Sequence, residues 1–334
     1  MNNFIQIANV LLTRRCNLKC SYCQIVRTCY DNDDYPEMDY YWNHELSSDK
    51  WIDIFSRLKK NNPNIFYILY GGETFLYDHL SDILTWMHLE KCNYTIITNN
   101  TDEIQNRIQK VLNAVGKFKG FTSSVDPVLL MNPSNSDIYR KSKLGFERLC
   151  KAKREGIADD VVAEITATSK NLPYLYQTIK LLSENNIYSS ITVIDDKKSK
   201  YYDFSNVKDK TLLLNKNQEV KDTFVKIQND KSLLVHIPEL LDDLYNILPS
   251  NMKCSLNKEI GNVTIDSDGS FRLCLRIRGT ECTLLKWDKV ISVDGEFSSD
   301  FIKAFNFDYS TKCLGCNHTC LLMSEKFSSG IIDH

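Results

Sequence analysis

A repeated alternation between short apolar runs and helical patterns constrains the fold of this chain more than any other feature, and it extends from residue 4 to residue 194. The stretches between the runs place apolar residues at helical spacing, as Trp51, Ile54, Phe55 and Leu58 do. Strands that alternate with crossover helices form parallel sheets, so we predict an α/β protein with a parallel sheet. The six runs predicted as strands are Phe4–Thr13, Ile65–Tyr70, Tyr94–Thr98, Phe118–Val125, Val161–Thr168 and Ile191–Ile194.

Such a sheet, closed or nearly closed, forms a partial (β/α)6 TIM-like barrel, which we assign to residues 1–200. The alternation stops near residue 195. Residues 201–250 form a connector that is rich in lysine and asparagine and has one helical stretch, Pro238–Leu248. A turn at Asp268-Gly269 between two short apolar runs then predicts a β-hairpin. We assign residues 251–334 to a small cysteine-rich β-hairpin/helix domain.

Charge and hydropathy lead us to expect no nucleic-acid partner and no membrane. The 41 basic residues nearly balance the 43 acidic ones, for a net charge of −2, so there is no electrostatic footprint for nucleic acid. No apolar run approaches the roughly 18 residues that a membrane span needs. Arg14 and Arg15 follow the first apolar stretch, which is the reverse of a secretory signal, so we expect a cytoplasmic protein.

Twelve cysteines are many for a chain in which thiols stay reduced, and they favour metal or redox chemistry over disulfides. Four of them lie near the N-terminus and six lie in the last quarter, so two metal sites are the first hypothesis. The N-terminal group is Cys16, Cys20, Cys23 and Cys29; the C-terminal group is Cys254, Cys274, Cys282, Cys313, Cys316 and Cys320. The two others, Cys92 and Cys150, are expected to be small buried hydrophobes, as are Cys29 and Cys282.

Cys16, Cys20 and Cys23 form a C-x3-C-x2-C array at the end of the first predicted strand. Three thiolates in a short loop can bind three irons of a four-iron cluster and leave the fourth iron without a protein ligand. Zinc prefers four protein ligands in structural sites and fits a triplet poorly. A zinc knuckle that recruits Cys29 stays open as the alternative.

The triplet, with Tyr22 directly before its third cysteine, resembles the cluster motif of the radical S-adenosylmethionine superfamily. Three later strand ends are similar to other motifs of that family. Gly71-Gly72-Glu73-Thr74 is similar to the family's GGE motif, with threonine in place of the usual proline. Thr98-Asn99-Asn100 is similar to a Thr-Asn-Gly motif. Ser124-Val125-Asp126 is similar to the motif that contacts the ribose of the cofactor.

The resemblance implies a [4Fe–4S] cluster on the three cysteines, with S-adenosylmethionine chelating the fourth iron. It also implies a set of cofactor-binding residues: Tyr22, Gly71, Gly72, Glu73, Thr74, Asn99, Ser124 and Asp126. Taken singly, a glycine pair can form a simple turn, and Ser124 or Asp126 can cap a helix. Their common position at successive strand ends favours the cofactor role, because chemistry in barrel folds lies at the carboxyl ends of the strands.

The C-terminal cysteines are similar to the pattern that opens SPASM and twitch domains. Cys254-x14-Gly269-x4-Cys274 is followed by Cys313-x2-Cys316-x3-Cys320, without the middle spacing of a full SPASM domain. The resemblance implies one auxiliary iron–sulfur cluster, for which we favour Cys254, Cys274, Cys313 and Cys316 as ligands, with Cys320 as a rival. A structural zinc site is the alternative, because Cys313-x2-Cys316 is also good zinc spacing.

The resemblance implies an enzyme that cleaves S-adenosylmethionine to methionine and a 5′-deoxyadenosyl radical, which removes a hydrogen from the substrate. An external one-electron reductant, a flavodoxin or ferredoxin-like protein, is the implied partner. Peptide modification by cross-linking, oxidation or epimerisation is the favoured activity. The alternatives are a small-molecule radical dehydrogenase and a non-catalytic metal-binding scaffold. The sequence identifies no catalytic acid or base.

Overall fold

A computed structural model describes residues 5–20, 22–23, 42–127, 136–194, 198–199, 202–203, 210–236, 241, 245, 261–272 and 285–305. Through the first part of the chain the elements are β1 (Ile7–Thr13), α1 (Ser48–Asn61), β2 (Phe66–Gly71), α2 (Leu80–Leu89), β3 (Asn93–Thr98), α3 (Gln105–Val115), β4 (Phe118–Ser124), α4 (Ser136–Glu155), β5 (Ala158–Ala167), α5 (Leu172–Glu184) and β6 (Tyr188–Val193). Short 3₁₀ turns occupy Thr74–Leu76 and Asp102–Ile104.

The later elements are smaller. They are β7 (Lys198–Ser199), β8 (Tyr202–Asp203), a 3₁₀ turn at Lys210–Leu212, α6 (Gln218–Asn229), β9 (Asn262–Ile265), β10 (Ser270–Arg272), β11 (Leu285–Lys286), α7 (Trp287–Val290) and α8 (Ser299–Phe305). In the described part of the chain no helix combines the length and the apolar character needed to cross a bilayer.

The parallel sheet predicted from the sequence is confirmed. Strands β1 to β6 lie in sequence order, and each pairs in parallel with the next, as in a partial TIM barrel. The helices bury one face of this sheet: α1 contributes Trp51, Ile54, Phe55 and Leu58, the four residues whose spacing predicted it. On β5, alternate residues such as Ala163 are fully buried, so the residues between them face the other side of the sheet.

Helix α6 was not predicted. It lies in the region that the sequence analysis assigned to a lysine- and asparagine-rich connector. Val220, Phe224 and Ile227 give it a buried stripe at helical spacing, and the Asn217 side chain caps it by accepting a hydrogen bond from the Val220 N–H at 2.9 Å. Of the helix predicted at Pro238–Leu248, only positions 241 and 245 are described, and both are helical.

The predicted hairpin is present as β9 and β10, and it extends the main sheet. Strand β9 pairs in parallel with β1, placing Asn262 opposite Ile7, and β10 and β11 follow in antiparallel order. Gly269 lies in the turn with φ +78°, a conformation that glycine adopts without strain. The cysteines of the predicted C-terminal domain lie outside the described residues, so that domain and its boundary at residues 201–250 stay predictions.

Candidate functional site

The carboxyl ends of β1 to β4 carry the residues that the sequence singled out, and we call this edge of the sheet the barrel mouth. Cys16 follows β1, Gly72 and Glu73 follow β2, Asn99 follows β3 and Asp126 follows β4. Parallel strands end at the same edge, so four segments far apart in sequence meet there. The geometry that follows concerns the described residues alone.

Cys16, Cys20 and Cys23 are free, partly exposed thiols in the loop that leaves β1. The Cys23 N–H donates to the Cys20 carbonyl at 3.1 Å, and the Leu18 N–H lies 3.4 Å from the Cys16 sulfur. Burial, together with the charges of Cys23, Glu73 and Cys20, raises the pKa of Cys16 to about 11, and the hydrogen bond from the Leu18 N–H opposes the rise. Three such thiolates repel one another, so this donor set fits a cationic iron centre that would offset their charge.

In the residues that the structure describes, no three histidine, cysteine or carboxylate side chains lie close enough to hold a single metal ion. A cubane cluster binds each cysteine through a different iron, so its ligands form a wider set than those of one ion.

Gly71 and Gly72 pack against the backbone where the chain leaves β1. A side chain on Gly71 would bring its Cβ within 2.3 Å of the Thr13 carbonyl oxygen, and one on Gly72 would come equally close to the Arg15 carbonyl oxygen, at 2.3 Å. The Gly72 N–H donates to the Thr13 carbonyl and the Glu73 N–H to the Arg15 carbonyl, both at 2.8 Å. The sequence analysis attributed these glycines to a ligand; their first role is this contact with the base of the cysteine loop.

The Glu73 carboxylate links the ends of β2 and β3. Its Oε1 accepts from the Phe75 N–H at 3.1 Å and the Thr98 hydroxyl at 2.8 Å, and its Oε2 accepts from the Asn99 N–H at 2.7 Å. Glu73 is 1% exposed; burial raises the pKa of its carboxyl, and these hydrogen bonds oppose that rise. Thr74, at the usual proline position, donates its hydroxyl to the Ile97 carbonyl at 2.6 Å and strengthens the same link.

Asn99 connects the end of β3 to the cysteine loop. Its side-chain N–H donates to the Asn17 side-chain oxygen at 2.8 Å and lies 4.0 Å from the Cys16 sulfur. The next residue, Asn100, has φ +52°, in the left-handed region that glycine favours and asparagine tolerates. This geometry explains why a Thr-Asn-Asn sequence can stand where Thr-Asn-Gly is usual.

Tyr22, Ser124 and Asp126 lie on the opposite side of the mouth. The Tyr22 hydroxyl lies within hydrogen-bonding reach of Thr166 on β5, and its pKa is raised by burial and by the nearby charges of Cys20, Asp126 and Cys23. Ser124, the last residue of β4, is exposed, and Asp126 is partly exposed. Both side chains therefore have surface available for a ligand.

The sequence analysis missed the ion pairs that two adjacent arginines make at the mouth. Arg14 binds Asp266 in the hairpin turn through two contacts, Nε to Oδ1 at 3.0 Å and Nη2 to Oδ2 at 2.7 Å, with both side chains buried. Arg15 binds Glu45 at 2.9 Å and Asp78 at 3.3 Å. The adjacent arginines before the first cysteine were a usable signal, since arginines at a strand end need carboxylate partners if they are buried.

Glu164 on β5 was also missed. The end of its strand alternates apolar residues with polar ones: Glu164 and Thr166 are polar, whereas Ala163 and Ile165, which precede them in turn, are apolar. That alternation was the available signal, because it predicts one face of β5 that does not pack against helices.

Residues 10–125 match the family model described as the radical SAM superfamily, and the segment contains the cysteine triplet, Gly71-Gly72-Glu73 and Ser124. The resemblance of this segment to that superfamily is thereby confirmed, whereas the similarity of the C-terminal cysteines to SPASM and twitch domains stays a prediction. The crystal structure of Streptococcus suis SuiB bound to precursor peptide SuiA is similar at a TM-score of 0.55 and 16% identity, over 91% of this chain and 67% of that chain.

Native anSMEcpe with bound AdoMet is similar at a TM-score of 0.55 and 15% identity, over 92% of this chain and 83% of that chain. At these identities the likeness shows the fold that this chain shares with both structures. No curated protein matches the sequence.

Proposed function

We propose that this chain is a radical enzyme that cleaves S-adenosylmethionine reductively and uses the resulting radical to modify a peptide. The observation that carries the proposal is the convergence of the cysteine triplet with Gly72, Glu73, Asn99 and Asp126 at one edge of a parallel sheet.

Cys16, Cys20 and Cys23 are the residues that would hold a [4Fe–4S] cluster, and the free thiols in one short loop fit it. When bound together with S-adenosylmethionine, that cluster supplies the electron that breaks the cofactor into methionine and a 5′-deoxyadenosyl radical.

The chain's own residues fix the place where this chemistry occurs. Glu73 and Asn99 tie the ends of β2 and β3 to each other and to the cysteine loop, and Arg15 ties that loop to Glu45. We assign the backbone of Gly71 and Gly72 to the methionine end of the cofactor. Ser124 and Asp126 are assigned to its ribose, since a hydroxyl and a carboxylate both suit ribose hydroxyls.

A peptide is the substrate class we favour. Among the similar structures, SuiB is bound to precursor peptide SuiA, and anSMEcpe is bound to a Kp18Cys peptide as well as AdoMet. Cross-linking, oxidation and epimerisation are the modifications in question. A flavodoxin or ferredoxin-like protein is proposed as the electron donor, since cleavage consumes one electron from outside the chain.

We further propose that residues 251–334 hold one auxiliary iron–sulfur cluster. The hairpin that precedes Cys274 pairs directly with β1, the strand that leads to Cys16. This pairing attaches the chain just before Cys274 to the edge of the barrel at β1, and it supports a second site beside the barrel.

The test is anaerobic counting of iron, sulfide and zinc, with Mössbauer spectra and assay of 5′-deoxyadenosine after reduction. We expect about eight irons in the wild type and about four in Cys16→Ala/Cys20→Ala/Cys23→Ala, which should also release no 5′-deoxyadenosine. Cys92→Ala, which changes a buried cysteine outside the mouth, is the matched control and should keep the wild-type counts.

An iron count of about four in the wild type, with one zinc that persists in the triple variant, would remove the auxiliary cluster and leave the radical chemistry. No 5′-deoxyadenosine from the reduced wild type would remove the radical chemistry itself. Incubation with candidate precursor peptides, followed by mass spectrometry, then tests the substrate class.

A further inference from the structure

Ser124, Glu164 and Ser190 form one row across three neighbouring strands. Ser124 of β4 is in register with Glu164 of β5, which is in register with Ser190 of β6. Residues in register on parallel strands point to the same side of the sheet. The helices cover the opposite side, where Ala163 and Ile165 are fully buried, so this row faces the barrel interior.

Protein surrounds most of the Glu164 carboxyl, and a part of the residue's surface is exposed. The hydroxyls of Ser190 and Thr192 lie within hydrogen-bonding reach of its carboxyl. Ser124, on the other flank of the row, is exposed. Because the helix side of β5 is closed, the exposed surface of Glu164 opens into the barrel, where a bound molecule could reach it.

No charged side chain in the described part of the chain contributes to the pKa of Glu164. Burial raises that pKa to about 7, and the two hydroxyls of β6 oppose the rise. Tyr22, whose hydroxyl lies within hydrogen-bonding reach of Thr166 on the same strand, is influenced by the charges of Cys20 and Asp126. Among the described residues, no cation therefore offsets the charge of the Glu164 carboxylate in this low-dielectric interior.

We infer that Glu164 binds a cationic side chain of the substrate inside the barrel, with the hydroxyls of Ser190 and Thr192 beside it. This inference rests on the proposed function and narrows its substrate class to peptides with a lysine or arginine near the modified residue. A charge-assisted hydrogen bond from ammonium or guanidinium is stronger than one from a neutral amide, and the cation also offsets the cost of the buried charge.

The test measures binding of small cations by isothermal titration calorimetry to the full-length, cluster-reconstituted protein. The probes are Nα-acetyl-arginine methylamide and Nα-acetyl-lysine methylamide, with Nα-acetyl-citrulline methylamide as the uncharged counterpart of arginine. With a carboxyl pKa of about 7, the affinity for the cations should rise about tenfold between pH 6 and pH 8, because only the ionised form binds them. Citrulline should bind at least tenfold more weakly at pH 8.

Glu164→Gln should lose both the preference for the cations and the rise with pH. Glu184→Gln removes the same charge from an exposed position on α5 and should behave like the wild type. Equal affinity for arginine and citrulline would overturn the inference, and so would an unchanged pH profile in Glu164→Gln or no binding of either cation. Circular dichroism of each variant confirms that it is folded.

Failure of the role inferred for Glu164 is distinguishable from failure of the proposed function. The binding assay requires no reductant and no S-adenosylmethionine cleavage, so a positive result survives an inactive enzyme. Release of 5′-deoxyadenosine in the absence of cation binding would leave the radical chemistry and remove the role assigned to Glu164.

Discussion

Glu73 and Glu164 belong to the same parallel sheet, at β2 and β5, and their surroundings differ sharply. The Glu73 carboxylate is 1% exposed and accepts hydrogen bonds from two backbone N–H groups and one hydroxyl. Glu164 is partly exposed, and two hydroxyls of β6 lie within its reach. The first carboxylate is supplied with partners by its own chain, whereas the second has capacity left for a partner from outside.

The same difference separates the two sides of the barrel mouth. On the β1–β3 side, Gly72, Glu73 and Asn99 make close contacts that fix the cysteine loop. On the β5–β6 side, Glu164 and Ser190 are in register, are partly exposed and face the interior. A rigid side suits a cofactor that must be held in one orientation, and an open polar side suits a substrate that enters and leaves. The contrast agrees with both proposals.

The largest loss of stability is expected at the ion pair that joins the end of β1 to the turn between β9 and β10. Asp266→Asn removes the negative charge that contacts the buried Arg14 guanidinium through two atoms, and we expect the free energy of unfolding to fall by about 3–5 kcal/mol. Urea denaturation followed by circular dichroism measures it. Asp294→Asn, at an exposed position of the same region, should change stability by less than about 0.5 kcal/mol. Similar losses in both variants would contradict the structural role of the pair.

Replacement by glutamine should change the free energy of unfolding in opposite directions at Glu73 and Glu164. The larger change is expected at Glu164. A folded-state pKa of about 7 lies above the ordinary glutamate value of 4.5, so the unfolded chain loses this proton first as pH rises. Stability is therefore unaffected below about pH 4.5, falls between about pH 4.5 and 7 and stays reduced above that range. Glu164→Gln should be more stable than the wild type by up to roughly 3 kcal/mol at pH 8 and equal to it at pH 4.

The check is a series of urea midpoints for wild type and Glu164→Gln from pH 4 to pH 8. Glu184→Gln, the exposed control, should show no such divergence. A wild type that gains stability relative to Glu164→Gln as pH rises would mean that the carboxylate already has a cationic partner in the protein.

Glu73→Gln is expected to destabilise the protein by about 1–3 kcal/mol, because the amide that replaces one carboxylate oxygen cannot accept from a backbone N–H. The cysteine loop should also become more accessible, which thiol alkylation rates on the cluster-free protein would report. If Glu73→Gln and Glu164→Gln shift stability in the same direction at pH 8, the contrast between the two sides is wrong.

The sequence predicted those parts of the molecule that depend on local pattern. The six strands appear within a few residues of the predicted bounds, because strand and helix periodicities differ over short windows. The motifs at the mouth followed from spacing and strand ends, and the structure brings Cys16, Glu73 and Asn99 together. Their ligand roles stay predictions.

What the sequence did not predict depends on pairing across long separations or on solvation. The sequence around Ile7 does not indicate that its strand pairs with the strand that contains Asn262. Likewise, the sequence around Arg14 does not indicate that Asp266 is its partner. The raised pKa of Glu164 depends on what surrounds the strand, which a single sequence does not display.

The position of β9 beside β1 has a consequence for how the protein is made. One edge of β1 finds its partner only when Asn262 has been synthesised, 255 residues after Ile7. At about 5–20 residues per second, that edge is unpaired for roughly 10–50 s. Exposed strand edges recruit other chains, so the nascent barrel needs protection during this interval. Slow translation or a missing chaperone should therefore reduce the soluble yield before it affects any property of the finished enzyme.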